Sequence, residues 1–371
     1  QPESAVAMSV SRADPATPAE QRGLAQFYQR LFDHLRELPG VSAVGGTNAL
    51  PMSDTGANGS FIVETGGETA KTPDDLGKEF SALAGTPRLR DAEFRIASAG
   101  YFPAMRIPLV RGRYFDSSDG QDSQQVALVS QALVRRYWPK EDPIGKQIQF
   151  GNMDGDLRLL HVVGVVGDVR DDGLDAEPRP TVYVDLVQRS RVAAQFSVVL
   201  RGQNDPSSLI AAMRQEARAL DPQMPTDFRT LEQVVSSSLD GRRFSMVMLG
   251  VFAGAALLLA MVGLYGIMAY ITSQRTREIG IRMALGAQRG DMLRLILRQS
   301  FGLVLVGVVL GVLGALGGSH LLGSLLYGVS AIDFPTYFLV VVLLGAAAFI
   351  ASLIPARRAT KVNPTEALRA E

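Results

Sequence analysis

From Phe244 to Gln274 the chain carries no charged residue, and no other feature restricts its fold as much. A helix rises about 1.5 Å per residue, so roughly 20 residues already cross a hydrocarbon core of ~30 Å. The stretch therefore predicts a transmembrane helix. A second uncharged stretch runs from Gln299 to Ile332, interrupted only by His320, and a third runs from Phe334 to Ala356. The third is bounded by Asp333 and by Arg357 and Arg358, since a charge at mid-membrane costs roughly 2.5–3.5 kcal/mol on insertion scales. Three membrane helices are expected, near residues 244–273, 299–325 and 334–355, which makes 243–371 an all-α transmembrane domain.

The first two spans are joined by SQRTREIGIRMALGAQRGDMLRLILRQS, from Ser273 to Ser300. This connector holds Arg275, Arg277, Arg282, Arg289, Arg294 and Arg298 against only Glu278 and Asp291. Its apolar residues Ile279, Ile281, Met283 and Leu285 stop at Gly286, the pattern of a short helix that ends at a glycine. The chain restarts near Asp291 and runs without a breaker through Met292, Leu295 and Ile296 into the second span. A push on the connector would be carried into the bilayer.

Basic residues set the orientation. The connector and the tail residues Arg357, Arg358, Lys361 and Arg369 face only Arg229, Arg242 and Arg243 on the other side. The bias puts the segment 274–298 and the C-terminus in the cytoplasm and residues 1–242 outside it. An outside N-terminal domain needs a signal, and Gln1 to Gln21 has no apolar core of signal length. A signal-anchor helix ahead of Gln1 is therefore expected.

Net charge is zero over 371 residues, but the halves differ. The part before Arg243 has 26 basic and 32 acidic residues, a mildly acidic soluble domain that offers no nucleic-acid surface. The absence of cysteine excludes disulfides, thiolate metal sites and cysteine nucleophiles.

Within that domain, Ala5–Val10 alternates like a strand, and Leu24, Phe27, Tyr28, Leu31, Phe32 and Leu35 recur at helical spacing from about Glu20 to Leu38. Pro39 and Gly40 end the helix, and Val41–Thr47 is the next strand. A matching unit appears late: a strand at Phe196–Leu200, a helix from about Pro206 to Leu220, and a strand near Thr226–Arg229. Two β-α-β units at opposite ends of the region predict one split, porter-like subdomain with a mixed subdomain inserted into it, an α+β extracytoplasmic domain. The segment Pro51–Gly77 is expected to be loop-heavy. Glu93–Ala97, Tyr101–Met105, Gln125–Val129 and His161–Val166 supply strands or short helices of the insert, and Ser130–Trp138 a helix.

Gly307, Gly311, Gly314 and Gly318 in the second span, with Gly250 and Gly254 in the first, have the small-xxx-small spacing that lets helices approach closely. No catalytic, cofactor or metal site emerges. His34, His161 and His320 stand in unlike settings, and Asp168, Asp171, Asp172 and Asp175 lack the alternation of a calcium loop and suit a solvated turn. Gly145-Lys146 is not a nucleotide-binding loop, because Lys140 and Gln147 stand where that motif needs Gly and Ser or Thr. In the tail, Asn363, Pro364 and Glu366 form a helix start.

The connector RTREIGIRMALGAQRGDMLRLIL, the segment Ile354–Ala359 and the ending NPTEALR resemble the FtsX-like permease domain of MacB-type ABC transporters. Upstream, LPGVSAVGGTNALPM, YFPAMRIPLVRGRYF, YWPKEDPIGKQIQF and VVGVVGDVRDDGLDAEPRPTVYV are similar to the MacB-type periplasmic core domain. The resemblance implies a multi-pass subunit of the bacterial inner membrane with a periplasmic N-terminal domain. A second permease copy, either a homodimer mate or a tandem half, is implied as partner. ATP and Mg would be bound by a separate ATP-binding cassette subunit, and a periplasmic adaptor or outer-membrane channel is a further implied partner. By the same resemblance, Arg275, Arg277, Glu278, Ile279, Gly280, Ile281, Arg282, Ala284, Leu285 and Gly286 would form the coupling helix that docks on the ATPase. Two readings stay open: a permease supporting export of a small molecule, lipoprotein or peptide, and a signalling scaffold that activates a periplasmic enzyme or regulator without moving substrate.

Overall fold

A computed structural model describes residues 5–53, 57–66, 70–150, 153–171, 173, 176–275, 278, 281–282, 285, 287–322 and 334–359. Its contacts divide into two units, Gln1–Gly241 and Arg242–Glu371.

The first unit opens with β1 (Ala5–Ser11), α1 (Pro18–Arg36) and β2 (Val41–Thr47), and closes with β10 (Gln195–Gly202), α5 (Pro206–Leu220) and β11 (Thr226–Thr230). The two β-α-β units interleave: the antiparallel strand order is β11-β1-β10-β2. Pairing of Val6 with Leu200, Met8 with Val198 and Val10 with Phe196 puts alternate residues on one face. There they meet Leu24, Tyr28, Leu31 and Leu35 of α1 and Leu209 and Met213 of α5. Helix α1 starts two residues before the expected Glu20. Thr17 accepts from Glu20 N while the Glu20 carboxylate accepts from Thr17 N, and Pro18 fills the first turn.

Between these units lie β3 (Ala57–Glu64), α2 (Pro73–Leu83), β4 (Leu89–Ala97), α3 (Tyr101–Met105), β5 (Leu109–Gly112), β6 (Val126–Ser130), α4 (Gln131–Tyr137), β7 (Gln147–Gln149), β8 (Leu160–Val166) and β9 (Thr181–Asp185). Segment 51–77 is thus less loop-like than expected. The Gly and Ser of ANGSFIVE hide a strand, since a side chain at Gly59 would collide with Met153. The strands close into a ring, β4-β3-β7-β8-β6-β9 and back to β4, with β5 extending one wall. A closed barrel satisfies its strands without leaving an edge. Phe61, Phe94 and Phe150 fill it, with ring centroids of Phe61 and Phe94 at 5.6 and 5.1 Å from that of Phe150.

One residue pair, Thr47 with Ala97, carries the sheet from the α/β half into the barrel. Around it Ser98 N donates to Gly46 O, Gly46 N to Ser98 Oγ, and Ile96 N to Asn48 Oδ1. A Cβ on Gly45 or Gly100 would collide with the backbone of Tyr101 or Val44, so VGGT and the glycine before Tyr101 are both demanded by this close crossing.

The second unit is helical. Helix α6 (Leu231–Gln274) begins in the first unit, where Leu231 is buried among Ala5, Leu50 and Val199. Helices α7 (Arg289–Leu322) and α8 (Phe334–Ala359) follow. Among the described residues, two stretches are long and apolar enough to span a membrane, Arg243–Gln274 and Phe338–Pro355; α7 contributes a shorter apolar run, Val304–Ala315. On α7, where the second span is expected over 299–325, the described residues thus give only this shorter run. The expected helix start at Asn363 lies outside the described residues.

Candidate functional site

The connector leaves α6 through a set of local bonds. Thr272 Oγ1 donates to Met268 O at 2.6 Å and Arg275 N donates to both Ile271 O and Thr272 O. The Arg275 N–H thus covers two of the carbonyls that the last turn leaves unpaired. The next described turn carries Glu278, whose carboxylate accepts from Arg282 Nη2 at 2.7 Å. This i,i+4 pair is about half exposed on both sides, so it adds only ~0.3–0.5 kcal/mol to the helix.

Leu285 N donates to Ile281 O, and Ala287 N donates to Arg282 O. The second of these bonds reaches back five residues. Ile281 and Leu285, one turn apart, are 44% and 83% exposed. An apolar pair standing in solvent beside an ion pair is what a partner surface would cover. Arg277, Ile279, Gly280, Ala284 and Gly286 lie outside the described residues.

The proposed packing glycines separate into groups. A Cβ built on Gly250, Gly254, Gly307, Gly311 or Gly314 meets no atom within 4 Å. Gly307 and Gly311 line an apolar cleft of about 590 Å³ between α6, α7 and α8, whereas Gly250, Gly254 and Gly314 do not line it. Gly318 lies in α7, and its surroundings are not described.

The soluble unit holds charge that the sequence concealed. Asp168 is no solvated turn residue: it accepts from Ala132 N at 2.5 Å and from Arg135 at 2.6 Å, capping α4. Glu93 and Arg95 pair at 2.9 Å with both side chains buried, and Arg179 reaches Glu93 from outside at 2.8 Å. The alternation E-F-R-I was the available signal, because it places Glu93 and Arg95 on the face opposite Phe94 and Ile96. Arg189 and Asp154, 35 positions apart, gave none; their pair is wholly buried. Asp185 is buried, and desolvation pushes its carboxyl up to about 7, with Asp119 adding to the rise. Among the described residues, no group of three His, Cys, Asp or Glu could hold a metal ion.

The chain matches two family models: the MacB-like periplasmic core domain over residues 6–216 and the FtsX-like permease C-terminal domain over residues 250–364. It is 26% identical over 287 residues to an uncharacterized ABC transporter permease, YknZ, of Bacillus subtilis, covering 76% of this chain and 70% of that one. It is 30% identical over 288 residues to the pyoverdine export ATP-binding/permease protein PvdT of Pseudomonas savastanoi, covering 73% of this chain and 42% of that one. To the macrolide export ATP-binding/permease protein MacB of Marinobacter nauticus it is 25% identical over 320 residues, covering 84% and 48%. The chain therefore spans less than half the length of these two export proteins. Among solved structures it is similar to the periplasmic region of MacB from Actinobacillus actinomycetemcomitans, with a TM-score of 0.39 at 12% identity, covering 62% of this chain and 91% of that one.

Proposed function

The chain belongs to the family of permeases that join a MacB-like periplasmic core domain to an FtsX-like permease domain, and from that premise we propose that it couples ATP hydrolysis by a partner subunit to movement of its soluble domain. The outcome of that movement is export of a small molecule, lipoprotein or peptide. In this reading the soluble domain faces the periplasm, three helices cross the inner membrane, and the connector faces the cytoplasm. A second permease copy completes the complex, and an adaptor or outer-membrane channel receives the substrate. ATP and Mg bind the partner.

The observation that carries the reading is the connector helix, which presents exposed Ile281 and Leu285 beside the Glu278–Arg282 pair. That combination suits docking into a groove of an ATP-binding cassette subunit. The test is co-purification with that subunit and stimulation of its ATPase activity. If replacing Glu278 and Arg282 together leaves both unchanged, the docking assignment fails.

One observation favours the second reading, in which the same stroke activates a periplasmic enzyme or regulator. The cleft between the helices is lined entirely by apolar residues, so it offers a polar substrate no path. A periplasmic hydrolase or sensor captured by the soluble domain, with no export defect on deletion, would favour that reading.

A further inference from the structure

Strand β11 (Thr226–Thr230) ends the sheet of the first unit. Among the described strands it pairs with β1 alone, and none of its five residues is buried. The register fixes which of its backbone groups are spent. Ser11 N donates to Pro225 O and Arg12 N to Ala194 O, so β1 turns its odd residues to β11 and its even residues to β10, because bonded pairs recur at every second residue. Asp227 and Arg229, opposite Ser9 and Ala7, are therefore the bonded positions of β11. Thr226 and Phe228 turn their N–H and C=O outward. Thr230, the third outward position, gives its N–H to Gln233 Oε1. An edge with unspent amides is a template for another strand.

The residues TDFRT select the strand that fits. Asp227 and Arg229 are both more than half exposed on one face, with Arg229 Nε donating to Asp227 Oδ2 at 2.8 Å. An antiparallel copy of β11 centred on Phe228 sets Asp227 opposite Arg229 twice, once on each side of the axis. Opposite charges facing across a strand pair are stabilising and like charges are not. Sliding the copy by two residues brings Asp227 against Asp227 or Arg229 against Arg229, and sliding it by one sets outward amides against spent ones. The centred register alone satisfies the charges and the amides together, with the two Phe228 residues exchanging both bonds across the axis. An unrelated strand would have to carry the same alternation of acid and base in reverse. A second copy carries it by symmetry.

We propose that β11 pairs antiparallel with β11 of a second copy about a two-fold axis at Phe228, joining the two soluble domains in one sheet. This pairing rests on the reading in which a second permease copy completes the complex, and it names the surface that copy covers. Leu231 opens α6 directly after β11, three residues from the axis, so the two α6 helices would start about 20 Å apart at ~3.4 Å per strand residue.

A pair of short strands is marginal in water, so the contact is tested in a membrane. Two differently tagged forms of the full chain, Asp227→Cys and Arg229→Cys, are reconstituted together in vesicles of phosphatidylethanolamine and phosphatidylglycerol and mildly oxidised. The chain has no cysteine of its own, and both side chains are too exposed for either change to threaten folding. In the centred register these two positions have Cα atoms ~4.5 Å apart, within disulfide reach, whereas two copies of either position stand ~8 Å apart, beyond it. The mixed disulfide is expected at least fivefold above that of either variant with itself, and above that of Ser207→Cys at the exposed start of α5. Photobleaching of single fluorescent-tagged complexes in the same vesicles counts the copies, and two steps are expected. Two steps with a mixed yield no higher than the self yields would overturn the β11 pairing and leave the two-copy reading standing. Efficient self-linking of Asp227→Cys would overturn it in favour of a slid register. One step throughout would remove the second copy from the edge and from the reading alike.

Discussion

Arg189 and Asp154 form an ion pair at 3.0 Å whose two side chains are 1% and 0% exposed. Arg189 also donates to Gln125 Oε1 and to the carbonyls of Asp156 and Arg158, so one guanidinium holds the loop before β8 to the turn after β9. Removing one partner of such a pair leaves a buried charge uncompensated, which costs about 3–5 kcal/mol. Arg189→Met should destabilise the soluble unit by that amount. The single tryptophan, Trp138, is buried in this unit, so its fluorescence during urea unfolding of the detergent-solubilised chain checks the value. The double change with Asp154→Leu should recover part of the loss.

Asp185 predicts a pH dependence. Its folded pKa is raised to about 7 by burial, above an unfolded value of about 3.9. The folded state therefore holds a proton that the unfolded state has released, and the stabilisation is fully present below about pH 4 and lost as pH rises through about 7. The loss amounts to roughly 2–4 kcal/mol. Asp185→Asn should flatten this part of the stability profile between pH 5 and 8, measured with the same fluorescence signal.

The crossing of β2 and the start of α3 leaves no room for a methyl group. Gly100→Ala should destabilise the soluble unit by at least about 2–3 kcal/mol, an overpacking cost that cannot relax into side-chain motion because the obstacle is the backbone of Val44. Gly77→Ala, whose Cβ meets nothing within 4 Å in α2, should be neutral or stabilising by up to about 1 kcal/mol. A comparison of the two unfolding midpoints tests the point.

On the connector, Leu285→Asp should abolish co-purification with the ATP-binding cassette subunit while leaving Trp138 unfolding unchanged, because Leu285 is 83% exposed and supports no core. Glu278→Ala alone should cost the helix no more than about 0.5 kcal/mol. A loss of soluble-unit stability in either variant would show that the connector has a structural duty instead.

The elements legible in the sequence are those with a strong period. The helical face from Leu24 to Leu35 and the strand-helix-strand unit ending at β11 stand close to where their patterns place them. Strand β3 was hidden because Gly59 and Ser60 are chosen for room rather than for strand preference. Ring closure of the barrel depends on the β4–β9 and β3–β7 pairings, made between residues far apart, and no local signal carries them. In the candidate site, the run of apolar residues before Gly286 predicts a helix end that falls on residues outside those described. The buried pair Arg189–Asp154 was not legible, since a charged residue looks the same in sequence whether solvated or enclosed, whereas Glu93–Arg95 left only the alternation around Phe94 as a trace.

Strand β1, made before the other strands of the first unit, lies between β10 and β11, the last two strands of that unit. At ~5–20 residues per second, about 10–40 s pass between the synthesis of β1 and that of β10. During that interval both edges of an apolar strand stand open. The barrel, complete at Asp185, can form while β1 still waits. The order of synthesis thus lets the inserted ring close before β1 has either of its neighbours.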